Sequence, residues 1–183
     1  DLPFNEGMAA ERGHFVGLAA SSQSKALRHV FFAEREAAKV PGLDPALAPR
    51  PIRQAAVIGA GTMGGGIAMC FANAGIPVLL LDMNASGLEK GLATLAKNYA
   101  NSVARGSLTQ AEMDRRISLI QGSVSYEDLR DADIVIEAVF EDMAIKREVF
   151  TTLDAVCKPG AILATNTSYL NVDVIAQTTS RPE

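Results

Sequence analysis

The sequence predicts an α/β fold built on a doubly wound parallel sheet, with a helical hairpin inserted in it and a helical arm before it. Three observations carry this prediction. Short apolar runs alternate with helix-patterned stretches after residue 50, the signature of strands covered on both faces. The stretch between the second and third runs is longer than a minimal crossover and holds two helices. The composition, 48% hydrophobic and 21% charged over 183 residues, suits a globular domain with a core and is too apolar for disorder.

Residues 1–50 read as a helical arm and Pro-rich linker, and residues 51–183 as a separate domain. Leu27, Val30 and Phe31 recur at helical spacing opposite Arg28, Glu34, Arg35, Glu36 and Lys39, so 24–39 is an amphipathic helix. Phe15, Leu18 and Ala19 suggest a shorter helix before it. Pro41, Gly42, Pro45, Pro49 and Pro51 then punctuate a linker. The start at Asp1, without Met, reads as a fragment or a processed product.

Beyond the linker, Ala55–Gly59 is a buried strand and 62–74 a closely packed helix. Pro77–Leu81 is a second strand and 85–103 a second helix. Thr109 and Glu112 have the spacing of a capping box, with Leu108 and Met113 as its hydrophobic staple, so the third helix starts there. Ile117–Gly122 leads into a third strand and Asp133–Glu137 is a fourth. Residues 142–156 are helical, with Ile145, Val149, Leu153 and Val156 on one face, and Lys158-Pro159-Gly160 stops that helix. Ala161–Ala164 is a fifth strand, and a weak helix follows near 171–177.

Several functions are disfavoured by composition. A net charge of −4 offers no attraction for nucleic acid or an anionic membrane. Aromatic residues are 5% and Trp is absent, which leaves little for base stacking. Residues 55–81 carry no charge, yet their six glycines and Pro77 break any single membrane-crossing helix. Cys70 and Cys157 look like buried helix residues, not a disulfide scaffold or a metal site.

Gly59-Ala60-Gly61-Thr62-Met63-Gly64 fits G-x-G-x-x-G between a strand and a helix, and Asp82 ends the next strand. That is the fingerprint of a Rossmann-type dinucleotide site. Gly59 permits the tight turn, Gly61 lets the backbone approach a pyrophosphate, and Gly64 lets helix and strand pack closely. The amides and partial positive charge of the helix start face the phosphates. Asp82 would accept hydrogen bonds from an adenosine ribose and repel a 2′-phosphate, which favours NAD over NADP. The competing reading is a Gly-rich turn whose Asp caps a helix.

Glu137 and Glu141 flank Ala138-Val139-Phe140 just past the fourth strand, Lys146 lies early in the next helix, and Thr165-Asn166-Thr167-Ser168 follows the fifth strand. Strand carboxyl ends are where ligands sit in open α/β sheets. A carboxylate and a cation there suit a ribose and a nearby charge, although spacing alone favours a solvated helix-start Glu and a surface Lys. The hydroxyl and amide side chains of 165–168 suit a ribose, a carboxamide or a substrate oxygen, and equally a helix N-cap.

Together these motifs, over about 52–181, resemble the NAD-binding domain of the 3-hydroxyacyl-CoA dehydrogenases. Phe15–Leu18 and Ala26–Phe32 resemble the stretch joining a hydratase-like part to the dehydrogenase part in multifunctional fatty-acid β-oxidation enzymes. The resemblance implies that Met63 contributes to the diphosphate pocket, with Gly59, Gly61 and Gly64, and that Asp82 binds the adenosine ribose. It implies that Val139, Phe140, Glu141 and Lys146 line the cofactor site. Asn166 and Ser168 would lie by the nicotinamide, with Ser168 also touching the substrate hydroxyl. The implied reaction oxidises (3S)-3-hydroxyacyl-CoA to 3-oxoacyl-CoA with NAD⁺, and the implied arm packs on a hydratase-like domain.

The family's general base is a histidine paired with a glutamate, both C-terminal to the matched region. The only histidines here, His14 and His29, precede the first strand. The chain is therefore expected to bind NAD and to turn over substrate negligibly. A non-catalytic dinucleotide-binding module and another NAD-dependent 3-hydroxyacid dehydrogenase are the alternatives. Neither metal, nucleic acid nor a membrane span is expected, and homo-oligomerisation stays open. A cytoplasmic location is expected for a bacterial source, with peroxisome and mitochondrion open.

Overall fold

The computed structural model describes residues 2–44 and 46–182. Pro45, one of the linker's punctuating prolines, lies outside the described residues. The chain divides into two compact units, Asp1–Pro49 and Arg50–Glu183.

The first unit holds α1 (Phe4–Ala20) and α2 (Ser22–Ala37). Ser21 separates them: its hydroxyl oxygen accepts from the Ser24 amide at 3.2 Å and donates to the Leu18 carbonyl at 2.6 Å. The expected amphipathic helix is α2. The helix before it is not the shorter of the two, with 17 residues against 16. Its apolar side chains are spread around the axis, so periodicity marks only part of it. Neither helix buries a residue.

The second unit runs β1 (Ala55–Ile58), α3 (Thr62–Asn73), β2 (Val78–Leu81), α4 (Ala85–Ala104), α5 (Gln110–Ser118) and β3 (Ile120–Ser123). It continues through a 3₁₀ turn (Tyr126–Leu129), β4 (Ile134–Glu137), α6 (Met143–Val156), β5 (Ile162–Thr165) and α7 (Val172–Ala176). The sheet order is β3-β2-β1-β4-β5, and every pairing is parallel. Winding starts at β1, proceeds to β2 and β3, and reverses across β1 to β4 and β5. The register sets Ser123, Leu81, Ile58, Glu137 and Thr165 in one row at the carboxyl ends. The switch between β1 and β4 opens a crevice there.

The pleat divides the core. Ala56, Ile58, Leu79 and Leu81 face α6 residues Val149 and Leu153. Ala55, Val57, Val78 and Leu80 face Ala68 of α3 and Leu88 and Leu95 of α4. All four residues of β1 and of β2 are buried, which is why both strands are continuously apolar.

The capping box at Thr109 is complete: its oxygen accepts from the Glu112 amide, and Glu112 Oε2 accepts from the Thr109 amide. The third strand starts later than expected because Ile117 and Ser118 still belong to α5. Cys157 is buried, but Cys70 is exposed, on the outer side of α3. The buried face of α6 is Lys146, Val149, Phe150 and Leu153, while Ile145 is 39% exposed. The 3₁₀ turn at Tyr126 has no periodicity to announce it.

Gly91 of α4 is a contact that spacing did not reveal. A Cβ there would sit 2.5 Å from the Ala60 carbonyl oxygen and 2.7 Å from the Ala60 Cβ. Both obstacles belong to the backbone or a short side chain, so α4 or the glycine loop would have to move. Gly91→Ala should lower stability by about 1–3 kcal/mol, the usual cost of overpacking. A urea midpoint equal to the wild type would contradict this packing.

Candidate functional site

The turn from β1 into α3 is compressed from beneath. Gly59 has φ +100°, and a Cβ on it would lie 2.6 Å from the Ala138 carbonyl oxygen at the exit of β4. A Cβ on Gly64 would overlap the Gly59 carbonyl oxygen. Gly61 differs. Its φ of −73° is open to any residue, and nothing lies within 4 Å of a Cβ built on it. Neither strain nor packing calls for glycine at that point, and the vacant space lies over the start of α3. No side chain caps that helix start among the described residues. Its exposed amides and dipole therefore suit an anionic group brought close to Gly61.

Asp82 stands behind this turn. Its Oδ2 accepts from the Ala60 amide at 2.9 Å and its Oδ1 from the Asn84 amide at 2.9 Å. The capping residue of α4 is Asn84, whose side chain accepts from the Gly87 amide, so Asp82 is not a helix cap. A cleft of about 630 Å³ runs along the strand ends, lined by Gly59, Gly61, Met63, Asp82, Val139 and Phe140 among others. Tyr126, Ile145 and Val149 give it an apolar wall. A second hollow of about 400 Å³ lies between α3 and α4, bordered by Gly61, Asp82, Lys90 and Thr94. Met63 and Phe140 are open to solvent, at 56% and 83% exposed.

The charged residues past β4 are not a solvated pair. Lys146 and Glu137 are both fully buried. Lys146 Nζ donates to Glu137 Oε1 at 2.8 Å and Oε2 at 2.9 Å, and lies 3.4 Å from Glu141 Oε2. The surface lysine expected from spacing is thus corrected. The signal was present: Lys146, Val149, Phe150 and Leu153 follow i, i+3, i+4, i+7, which places the lysine on the apolar stripe of α6. Glu137 also accepts from the Val139 amide at 2.7 Å and the Thr165 hydroxyl at 2.6 Å. Its carboxylate oxygens are satisfied by one ammonium, one amide and one hydroxyl, which is what a buried charge needs.

Glu141 carries the chain of contacts onward. Its Oε1 accepts from the Thr167 hydroxyl at 2.6 Å, the Ser168 amide at 2.8 Å and the Tyr169 amide at 3.4 Å. Thr167 Oγ1 accepts in turn from the Leu170 amide. The cap of α7 is Asn171, so residues 165–168 do not serve as a helix cap. Asn166 continues the ladder, its amide donating to the Glu137 carbonyl at 2.8 Å, with the residue half-buried. Ser168 is exposed.

The expected residues thus fall into two groups. Gly59, Gly61, Met63, Asp82, Val139 and Phe140 line the cleft, with Gly64 buried beneath the turn. Glu141, Lys146, Asn166 and Ser168 belong to the second group, knotted through Glu137. The Val139 amide on Glu137 joins the two.

The Thr167 hydroxyl above all, with the Ser168 and Tyr169 amides and the Lys146 ammonium, holds the Glu141 carboxyl down to about 2 from its ordinary 4.5. A lowered folded-state value means that the contact contributes fully above 4.5 and is lost as pH falls toward about 2. The backbone ¹⁵N–¹H signals of Ser168 and Tyr169 should hold still from neutral pH down to 4.5 and shift with a midpoint near 2. Glu141→Gln should abolish that titration. A midpoint at the ordinary glutamate value would show that the contacts are not formed in solution.

Residues 54–183 match the family described as 3-hydroxyacyl-CoA dehydrogenase, NAD binding domain. The chain is 43% identical over 175 residues to the peroxisomal fatty acid beta-oxidation multifunctional protein of Oryza sativa subsp. japonica, covering 95% of this chain and 24% of that protein. It is 40% identical over 179 residues to the fatty acid oxidation complex subunit alpha of Shewanella oneidensis, covering 97% of this chain and 25% of that subunit. The crystal structure of 3-hydroxybutyryl-CoA dehydrogenase from Escherichia coli K12 superposes with a TM-score of 0.71 at 36% identity, over 73% of this chain and 28% of that one. The chain spans about a quarter of the length of these curated relatives. A close glycine turn, an acid behind it and a family match over the whole sheet converge: this chain belongs to the 3-hydroxyacyl-CoA dehydrogenases and carries their NAD-binding domain.

Proposed function

We propose that the Arg50–Glu183 unit is the cofactor-holding part of an enzyme of fatty-acid β-oxidation. That enzyme oxidises (3S)-3-hydroxyacyl-CoA to 3-oxoacyl-CoA. The observation that carries the cofactor half is Gly61, a glycine that neither the backbone nor its neighbours require, over an uncapped helix start. The substrate half is supported by family membership and by relatives named for fatty-acid oxidation.

In this reading the α3 amides and Met63 hold the diphosphate, beside Gly59, Gly61 and Gly64. Asp82 accepts from the adenosine ribose while it keeps its bond to the Ala60 amide, so it fixes turn and ligand together. Val139 and Phe140 cover the ligand at the β4 exit. Glu141, Lys146, Asn166 and Ser168 order the nicotinamide end, and Ser168 also meets the substrate hydroxyl. NAD⁺, when bound, supplies the hydride acceptor. The hydroxyl proton needs a base near working pH. Residues 50–183 contain no histidine, so this unit supplies binding and orientation. The arm packs on a hydratase-like domain, a reading supported by relatives named as multifunctional proteins. For a bacterial source we place the enzyme in the cytoplasm. The rice relative is named peroxisomal.

Three measurements test this. Gly61→Ala should leave unfolding stability within about 0.5 kcal/mol, because the methyl meets nothing, yet weaken NADH binding about tenfold or more by occupying ligand space. Equal loss of fold and affinity, or no loss of either, would refute the cradle. NADH should bind in preference to NADPH, and Asp82→Ala should cost NADH roughly 1–3 kcal/mol, as for a hydrogen-bonding group left unmatched. The 183-residue chain mixed with NAD⁺ and a 3-hydroxyacyl-CoA should show a rate lowered on the order of 10²–10⁴ relative to an enzyme with its base. Full activity from this polypeptide would contradict the assignment.

A further inference from the structure

We infer that Glu137 is a positioning residue: from beneath the site, its buried carboxylate sets the loop after β5 that orders the nicotinamide end. This rests on the cofactor reading given above and adds a residue that lines neither hollow.

A fully buried carboxylate and a fully buried ammonium are expensive to desolvate, and a pair of apolar residues would hold the same helix on the same strand at lower cost. The pair therefore needs a use beyond stability, and its geometry shows one. Glu137 ends β4 opposite Thr165, which ends β5, and takes that residue's hydroxyl directly. The Asn166 amide bonds to the Glu137 carbonyl. Glu137 is thus tied to the root of the loop by both main chain and side chain.

The second tie passes through Lys146. Both Glu137 oxygens engage the ammonium, and its remaining reach goes to Glu141 Oε2 at 3.4 Å. The other oxygen of Glu141 is left to gather Thr167, Ser168 and Tyr169. If Glu137 lost its charge, Lys146 would keep one anionic partner. Closing on Glu141, it would draw that carboxylate away from the loop amides. Thr165–Tyr169 is accordingly held at its root by Glu137 and at its tip by Glu141, with one ammonium coupling the two. The Gly59 turn and Asp82, which serve the other end of the cofactor, share none of these contacts except the Val139 amide.

The test compares two ligands on the 183-residue chain. ADP-ribose has the adenosine, diphosphate and second ribose of NADH but no nicotinamide. Glu137→Gln keeps the shape and removes the charge. Thr165→Val removes only the direct hydroxyl tie and leaves every charge in place, so it decides the matter if the first variant does not fold. Either variant, once folded, should weaken NADH about tenfold while ADP-ribose affinity changes less than about twofold. Without any ligand, amide exchange at Ser168 and Tyr169 should speed up while exchange in β1 and β2 does not. Equal losses for both ligands would make Glu137 merely structural and overturn the proposal, as would unchanged affinities with unchanged exchange. Should the wild type bind neither ligand while loop exchange still responds, the positioning stands and the cofactor reading fails.

Discussion

The site depends on a space too small for side chains. Where β1 turns into α3, the backbone passes between the exit of β4 and the flank of α4. Gly59, Gly64 and Gly91 mark three points where a Cβ would strike main-chain oxygen. This close approach brings the uncapped start of α3 to the row of strand ends. It also lets the Ala60 amide reach Asp82 on the neighbouring strand. Two bulkier residues in that turn would separate α3 from β1, and the acid and the amides would no longer face the same crevice.

A second constraint is electrostatic. One buried ammonium lies among two carboxylates beneath the carboxyl-end crevice. The local excess of negative charge is spread over hydroxyl and amide donors from β5 and the loop beyond it. The first constraint shapes a close turn of main chain. The second fastens a loop with side chains. The two meet at Glu137 and Val139, two residues apart on one strand exit.

Most of the architecture was legible in the residues. Continuous apolar runs mark β1 and β2 because both are buried on two faces. The capping box marks the start of α5 because its donors and acceptors lie within four residues. What stayed hidden is non-local. Gly91 looks like an ordinary helix glycine until α4 is laid against Ala60. Lys146 looks like a surface residue because lysine in general is one. Its burial follows from the stripe it shares with Val149 and Leu153, and its partner sits nine residues back on another element. The edge strand β3, with polar Gln121 and Ser123, has no apolar run to set its start.

The central place of β1 has a kinetic meaning. Its neighbours are β2, which follows soon, and β4, which emerges only after the whole α4–α5 hairpin and β3. The Gly59 turn packs against Ala138, beyond β4. A nascent chain that has exposed only its glycine fingerprint therefore has the motif without the strand exit it packs against. Loop-closure entropy must be met before the crevice exists, so it is complete only in molecules whose sheet has already closed across its middle.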